Sequence, residues 1–582
     1  MKGAASGAPV LTAHDPALRE RVGAALERAD AAGLAARLWA RDDRLWGDDP
    51  AHRAVARNRL GWLGAPARVA ARLPELRALA AEAAREGRDR AVLLGMGGSS
   101  LAPEVLRLAL GVRPGALDLA VLDNTSPAAV RAVTEAHDPE RTLFVVASKS
   151  GGTIEVASFE KHFFERARAA HGDAAGRGFV AVTDPGTPLE ALARARGYRA
   201  VVHAPPDVGG RYSALTEFGM LPAALIGADL DALVAAAAAE AAASGPEVPA
   251  AASPAVFLGV TLGELAAVGR DKLTLVLEGD VAPLGAWIEQ LVAESTGKDG
   301  RGILPVADEP LADPARYGRD RVFVATGVGA LSAGTEGALD ALAAAGHPVL
   351  RWTLPAVEAL GGEFLRWEIA TAVAGAALGV DPFDEPNVTE AKQATQAVLA
   401  RRVAEGRVPQ PAPIAEGAAG ALDAPAALAA ELRGAVRDAR DPAAWVVALA
   451  ATAAPGDYVA VLAYLHRTPA RHARLEALRL ALRDLGGAAA TLGYGPRFLH
   501  STGQLHKGGP PRGRFVQLVG DEGPDVPIPG EPYGFEALRW AQAAGDYEVL
   551  ERRGRRVLRV RLGDNPDAAL ARLAEAVAAA AR

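Results

Sequence analysis

From about residue 88 the chain repeats one texture: a short apolar run, a loop of glycine or serine, then a longer alanine-rich stretch. The runs lie at residues 91–94, 119–122, 143–147, 179–182 and 200–203. Runs that are apolar throughout, rather than alternating, suit strands buried on both faces. Strands of that kind, each followed by a helical stretch, predict a parallel sheet wrapped by helices. The pattern restarts near residue 255, with runs at 273–277, 321–325 and 349–354, and again at 458–464, 488–492, 515–519 and 556–561. Before residue 88 apolar residues recur at helical spacing, as at Leu73, Leu76 and Leu79. Residues 407–427 hold several Pro, Gly and Ala and read as a linker. The expected organisation is therefore a helical segment (1–88), two α/β domains of doubly wound parallel sheet in three layers (89–250 and 251–406), the linker (407–427), and a C-terminal α/β part (428–582). The strands of that last part are candidates to complete the second domain.

Composition narrows the function classes. With 582 residues, half of them apolar, the chain can bury a large core. A net charge of −7 without a basic stripe argues against a nucleic-acid partner. Having no cysteine, it has no disulfide, thiol nucleophile or cysteine-ligated metal. The longest apolar stretch, residues 369–380, is rich in Ala and Gly and too short to span a bilayer, so it reads as a buried helix. The first residues lack the apolar core of a signal peptide. The expectation is a cytoplasmic protein without a membrane partner. Lysine is scarce: seven occur, and four of them (Lys149, Lys298, Lys392 and Lys507) fall in the segments discussed next. Lysine is a compact charge with a shiftable pKa, where arginine is a permanent planar fork.

Three segments gather glycine, hydroxyl and basic residues behind apolar runs. In G-M-G-G-S-S (95–100) the glycines, Gly98 among them, let the backbone approach a ligand, and a helix starting near Ser99 would present free amides to an anion. No G-K-[ST] follows, so this is not a Walker loop, and a tight strand-to-helix turn accounts for it equally well. In S-K-S-G-G-T (148–153), Ser148, Lys149, Ser150 and Thr153 place three hydroxyls and an ammonium at the start of a helix whose apolar face is Val156, Phe159, Phe163 and Phe164. That set fits a phosphate dianion, although Thr153 could instead cap the helix. In G-G-R-Y-S (209–213), Gly209 and Gly210 precede Arg211, which lets the guanidinium lie close to backbone and ligand.

Two further segments offer acid–base groups. Gln290, Glu294 and Lys298 are four apart and would share a helix face. An i,i+4 Glu–Lys pair is the plain alternative, but S-T-G-K-D-G-R-G puts Lys298 beyond the helix end. His500 and His506 lie in L-H-S-T-G-Q-L-H-K-G-G (499–509), among hydroxyl, amide and lysine groups. Two histidines without a carboxylate are too few ligands for a metal.

Taken together, these motifs resemble those of phosphoglucose isomerase, a family built from two sugar-isomerase (SIS) domains. The family's G-x-G-G-S-x-L-G-P is matched at 95–103, with Ala102 for the last Gly; S-K-T-x-x-T-x-E-T at 148–156; G-G-R-[FY]-S at 209–213; and E-S-x-G-K at 294–298. F-D-Q-x-x-V-x-x-x-K resembles 383–392, with Glu385 for Gln, and L-H-S-x-G-Q resembles 499–504. The run 500–509 is most similar to the isomerase part of bacterial transaldolase–phosphoglucose isomerase fusions; no transaldolase barrel fits before residue 90. In many members the histidine segment precedes the lysine-bearing helix, whereas here His500 follows Lys392.

The resemblance implies reversible conversion of glucose 6-phosphate to fructose 6-phosphate through a cis-enediol, with no metal or organic cofactor. It implies that Gly98, Ser99, Ser148, Lys149, Ser150 and Thr153 hold the phosphate, that His500 with Lys392 opens the ring, and that Glu294 moves hydrogen between C2 and C1. Arg211, beside Gly210, would offset charge on the enediolate, and Gln290 would place the sugar. A homodimer follows by analogy. A dual glucose/mannose 6-phosphate isomerase and a non-catalytic SIS-domain sugar-phosphate sensor are the alternatives; the sensor has no use for Glu294, Arg211 and His500 together.

Overall fold

A computed structural model describes residues 6–406 and 410–582. The chain forms two compact units. One comprises the residues up to Asp123, Val133–Leu311 and Arg321–Asp384; the other comprises Asn124–Ala132, Ala312–Asp320 and Glu385–Arg582.

The first unit begins with β1 (Val10–Thr12), then helices Pro16–Ala31, Leu34–Trp39, Pro50–Arg57 and Leu73–Arg85. The helices are as expected. β1 is not legible in the sequence, because three residues carry no period of their own. The first domain's sheet holds β2 (Arg90–Leu94), β3 (Asp118–Leu122), β4 (Thr142–Ala147), β5 (Phe179–Thr183) and β6 (Ala200–His203). All are parallel, in the order β3-β2-β4-β5-β6. β4 and β5 are buried along their whole length, which accounts for the unbroken apolar runs. The winding reverses between β2 and β4. In such sheets ligands bind beyond the carboxyl ends of the strands at that reversal. The G-M-G-G-S-S and S-K-S-G-G-T loops leave those two strands.

The second domain's sheet contains β7 (Lys272–Glu278), β8 (Leu304–Val306), β9 (Arg321–Val328) and β10 (Val349–Leu354). It repeats the winding in the order β1-β10-β9-β7-β8, with β1 as an antiparallel edge that sets Val10 across from Arg351. The stretch 369–380 lies mostly in the buried helix Leu360–Leu378. Neighbouring helices approach it at glycines: a Cβ on Gly361 would collide with the carbonyl of Leu233, and one on Gly259 with Ala370. The same helix carries Arg366, whose guanidinium meets Glu240 at 2.7 Å and Glu363 at 3.1 Å. Trp352 Nε1 donates to Glu363 at 3.1 Å, and the three charged side chains are at most 1% exposed.

The second unit carries β11 (Ala415–Gly417), β12 (Gly420–Asp423), β13 (Tyr458–Tyr464), β14 (Ala489–Tyr494), β15 (Gly513–Val519) and β16 (Arg556–Arg561). Their order is β11-β12-β16-β15-β13-β14. Strands β13 to β16 are parallel and wound like the other two sheets, so they form a third sheet of their own and do not complete the second. The expected linker begins with 407–409, which lie outside the described residues. From Ala415 it carries the β11–β12 hairpin, laid antiparallel on β16. Its Pro and Gly mark the turn ends, and its pairing comes from the edge it joins. Among the described residues no helix is long and apolar enough to cross a membrane.

The Arg366 cluster yields a stability prediction. Removing one partner of a buried ion pair costs about 3–5 kcal/mol, so Arg366→Met is expected to destabilise the fold by about that amount in urea unfolding. Burial already pushes the Glu363 carboxyl above its ordinary range. A raised folded pKa favours the protonated group in the fold, so the deficit is expected to shrink as pH falls and to grow as pH rises.

Candidate active site

The first crevice is assembled from backbone. The glycine turn after β2 opens into the helix Gly98–Leu110, with Gly97 at φ 54°. A Cβ on Gly98 would strike the carbonyl of Gly210, so the G-G-R segment lies directly against the helix start and only glycine fits there. Ser99 is buried, and its hydroxyl has no hydrogen bond among the described residues. Ser100 turns inward instead, bonding Gly97 O and Asp123.

After β4 the chain turns through Gly151, at φ 66°, into the helix Ile154–His171. Thr153 occupies the capping position, yet its hydroxyl does not cap; it lies 3.1 Å from Ser148 Oγ. That leaves the helix N-terminus and two convergent hydroxyls facing one place, which suits an anion. Ser150 sits on the exposed loop, accepting weakly from Gly152 N at 3.4 Å. Lys149 differs from the sequence expectation in where its charge goes. Its ammonium donates to Asp184 at 2.5 Å and to Pro206 O at 3.3 Å, anchoring the loop rather than facing Ser148 and Thr153 alone. Burial pulls Lys149 below the ordinary lysine range and pushes Asp184 above the ordinary carboxylate range.

Glu294 sits on the helix Leu284–Thr296, four residues after Gln290 and with Lys298 past the helix end, as the spacing predicts. Arg211 Nη1 donates to Glu294 Oε1 at 3.0 Å, and Gln290 Nε2 donates to Oε2 at 3.1 Å. Both carboxylate oxygens are thus oriented in a group only 6% exposed. The rest of the Arg211 fork is engaged too: Nε donates to Ser295 at 2.9 Å, and Nη2 to the carbonyls of Pro382 (2.7 Å) and Asp384 (2.9 Å). Lys298 does not pair with Glu294. It meets Asp384 at 2.6 Å and the carbonyl of Asp381, fastening the same loop. Sequence reasoning missed both Asp384 and Asp184, since nothing in spacing links a lysine to an acid 86 or 35 residues away.

At the corresponding strand ends of the other two sheets the chain places carboxylates of its own. In the second domain Glu278, at the end of β7, accepts from Ser332 N at 3.0 Å, at the start of the helix Ala333–Ala344. Those hydrogen bonds from Ser332 hold its carboxyl below the ordinary range. In the second unit, Glu522 follows β15 and accepts from Ser126 Oγ (2.6 Å), His466 N (2.7 Å) and Arg471 (2.8 Å). Asn124 donates to Leu465 O there at 3.1 Å.

The second unit also bears the histidine motif. His500 ends a short helical turn after β14 and is half-buried. His506 is sealed: Tyr458 OH lies 3.0 Å from its Nδ1, Phe515 packs edge-on at 5.0 Å, and burial holds its imidazole well below the usual range. Lys507 is buried against Asp546 at 2.7 Å. Gln504 exchanges bonds with Asn387, at the start of the helix Pro386–Glu405. On that helix Lys392 is exposed. Among the described residues no group of three potential metal ligands occurs.

Comparison with known proteins bears on this arrangement. A family model for phosphoglucose isomerase matches residues 83–299, the span that holds the glycine turn, the serine–lysine loop, Arg211 and Glu294. The glucose-6-phosphate isomerase of Rubrobacter xylanophilus is 32% identical over 371 residues, covering 54% of this chain and 84% of that protein. That of Symbiobacterium thermophilum is 32% identical over 401 residues, covering 60% and 88%. The crystal structure of a hypothetical protein from Thermus thermophilus superposes with a TM-score of 0.58 at 28% identity, covering 67% of this chain and all of that one. With relatives of this identity matched over most of their length, and the glycine turn, the serine–lysine loop and the clamped glutamate all inside the span of the family model, the chain belongs to the phosphoglucose isomerase family.

Proposed function

We propose that this enzyme interconverts glucose 6-phosphate and fructose 6-phosphate, with Glu294 as the base that carries hydrogen between C2 and C1. The supporting observation is the double clamp on Glu294: Gln290 and Arg211 each hold one carboxylate oxygen, and both come from segments that border the first crevice. A general base must be held in reach of the proton it takes. In this reading Arg211, which already holds the base, offsets the negative charge that grows on the enediolate oxygens. The hydroxyls of Ser99, Ser148, Ser150 and Thr153, with the helix N-terminus behind them, take the phosphate. Gly98 and Gly210 contribute by allowing backbone to approach it.

Ring opening is assigned to His500, with Lys392 as its helper. What favours His500 over His506 is access: His506 is enclosed by Tyr458 and Phe515 and keeps a neutral ring, whereas His500 is half-exposed. A homodimer in the cytoplasm belongs to the same reading. No observation favours mannose 6-phosphate as an additional substrate or a purely sensory role.

Two outcomes test this. A positioned base contributes about 10²–10⁴-fold, so Glu294→Gln is expected to lose kcat by that factor in a coupled assay of fructose 6-phosphate formation, with substrate affinity little changed; near wild-type turnover would remove Glu294 from the role. Lys149→Met would strand the Asp184 carboxylate beside the incoming dianion. It is expected to raise KM about tenfold, and adding Asp184→Asn is expected to recover most of that loss.

A further inference from the structure

The two cations that the sequence motifs bring to the crevice are already engaged by the protein. Lys149 lies on Asp184, and Arg211 serves four acceptors. Hydroxyls and a helix terminus alone are weak company for a dianion. A further cation stands at the edge of the crevice, on the N-terminal segment that no motif points to. Leu60 bridges Val208, and Gly61 N donates to Asp207 O at 2.9 Å, which lays residues 59–61 along the loop that leads to Gly209. The chain of Arg59 crosses that glycine: its Cδ lies 3.6 Å from where a Cβ on Gly209 would be. The next residue, Gly210, lies on Gly98.

Arg59 is half-buried, and one guanidinium nitrogen donates to the carbonyl of its neighbour Asn58 at 2.9 Å. Its other donors make no hydrogen bond among the described residues. Burial dominates the shifts of Lys149 and Asp184, and the charge of Arg59 also reaches both groups. The other acid nearby, Asp207, is held by Arg68 at 3.0 Å with Arg41 at 3.8 Å. Lys149 is balanced by Asp184 and Arg68 by Asp207, so the charge of Arg59 is not cancelled. A planar fork with open donors matches phosphate oxygens in pairs.

We propose that Arg59 is a phosphate-binding residue of the first crevice, closing over Gly209 onto the phosphate and selecting phosphorylated over free sugars. This rests on the reading that the crevice takes a sugar phosphate. The test uses the full chain and two readouts: calorimetric titration with inorganic phosphate, which needs no turnover, and KM and kcat with glucose 6-phosphate. Arg59→Gln is expected to raise both the phosphate Kd and KM about tenfold, with kcat reduced less than KM is raised, and Arg59→Lys is expected to recover part of the affinity. Arg57→Gln, which removes an exposed neighbour paired with Asp43, is expected to change neither by more than twofold. A phosphate Kd for Arg59→Gln within twofold of the wild type overturns the assignment. So does a parallel loss of kcat and thermal stability that Arg59→Lys does not relieve, which would make Arg59 a brace for the loop. If the wild-type protein binds phosphate but does not isomerise, the proposed reaction fails while the phosphate titration still decides the role of Arg59.

Discussion

The guanidinium of Arg211 is the constraint on which the site depends. It joins three pieces of chain far apart in sequence: the short turn Gly210–Tyr212 that carries it, the helix bearing Glu294 and Ser295, and the carbonyls of Pro382 and Asp384 after the long buried helix. Only an arginine offers donors in enough directions to do this at once. Lysine could satisfy one acceptor and would leave others buried and bare. Since both oxygens of Glu294 are held, its carboxylate has little freedom to rotate. Such preorganisation is what lets a base act without waiting for reorganisation. Lys298 fastens the same loop through Asp384 and the carbonyl of Asp381.

The parts legible in sequence are those dictated by backbone. Unbroken apolar runs announced most of the parallel strands, because burial on both faces leaves no alternation. The loops at 95–100, 148–153 and 209–213 stood out since glycine and hydroxyls appear where the chain must turn tightly and keep amides open. The four-residue spacing of Gln290 and Glu294 translated directly into a shared face and then into a hydrogen bond. What escaped was set by partners distant in sequence. β1, β11 and β12 are three or four residues long and take their pairing from an existing edge. Asp184, the acid that meets the Lys149 ammonium, follows directly on β5 and becomes its neighbour only because β4 and β5 pair in parallel. Ser148 and Thr153 were correctly grouped, but that Thr153 would decline its capping bond could be seen only with coordinates.

The histidine motif shows how a chemically suggestive string divides once folded. Within eleven residues, Gln504 latches the start of a helix, Lys507 and His506 are buried in the packing of their own unit, and His500 alone keeps access. Residues with similar chemistry and adjacent numbers thus serve different ends, and burial separates them.

Three sheets with the same winding bring three crevices, yet two of them house a carboxylate of their own. Glu278 at the start of the helix Ala333–Ala344 is tethered, so its local concentration is constant, and any free anion would have to displace a tenant that never diffuses away. Glu522 holds the third in the same manner. Duplicated architecture therefore does not mean duplicated chemistry: the same strand-end position carries paired serine and threonine hydroxyls in one sheet and a carboxylate of the chain itself in the other two.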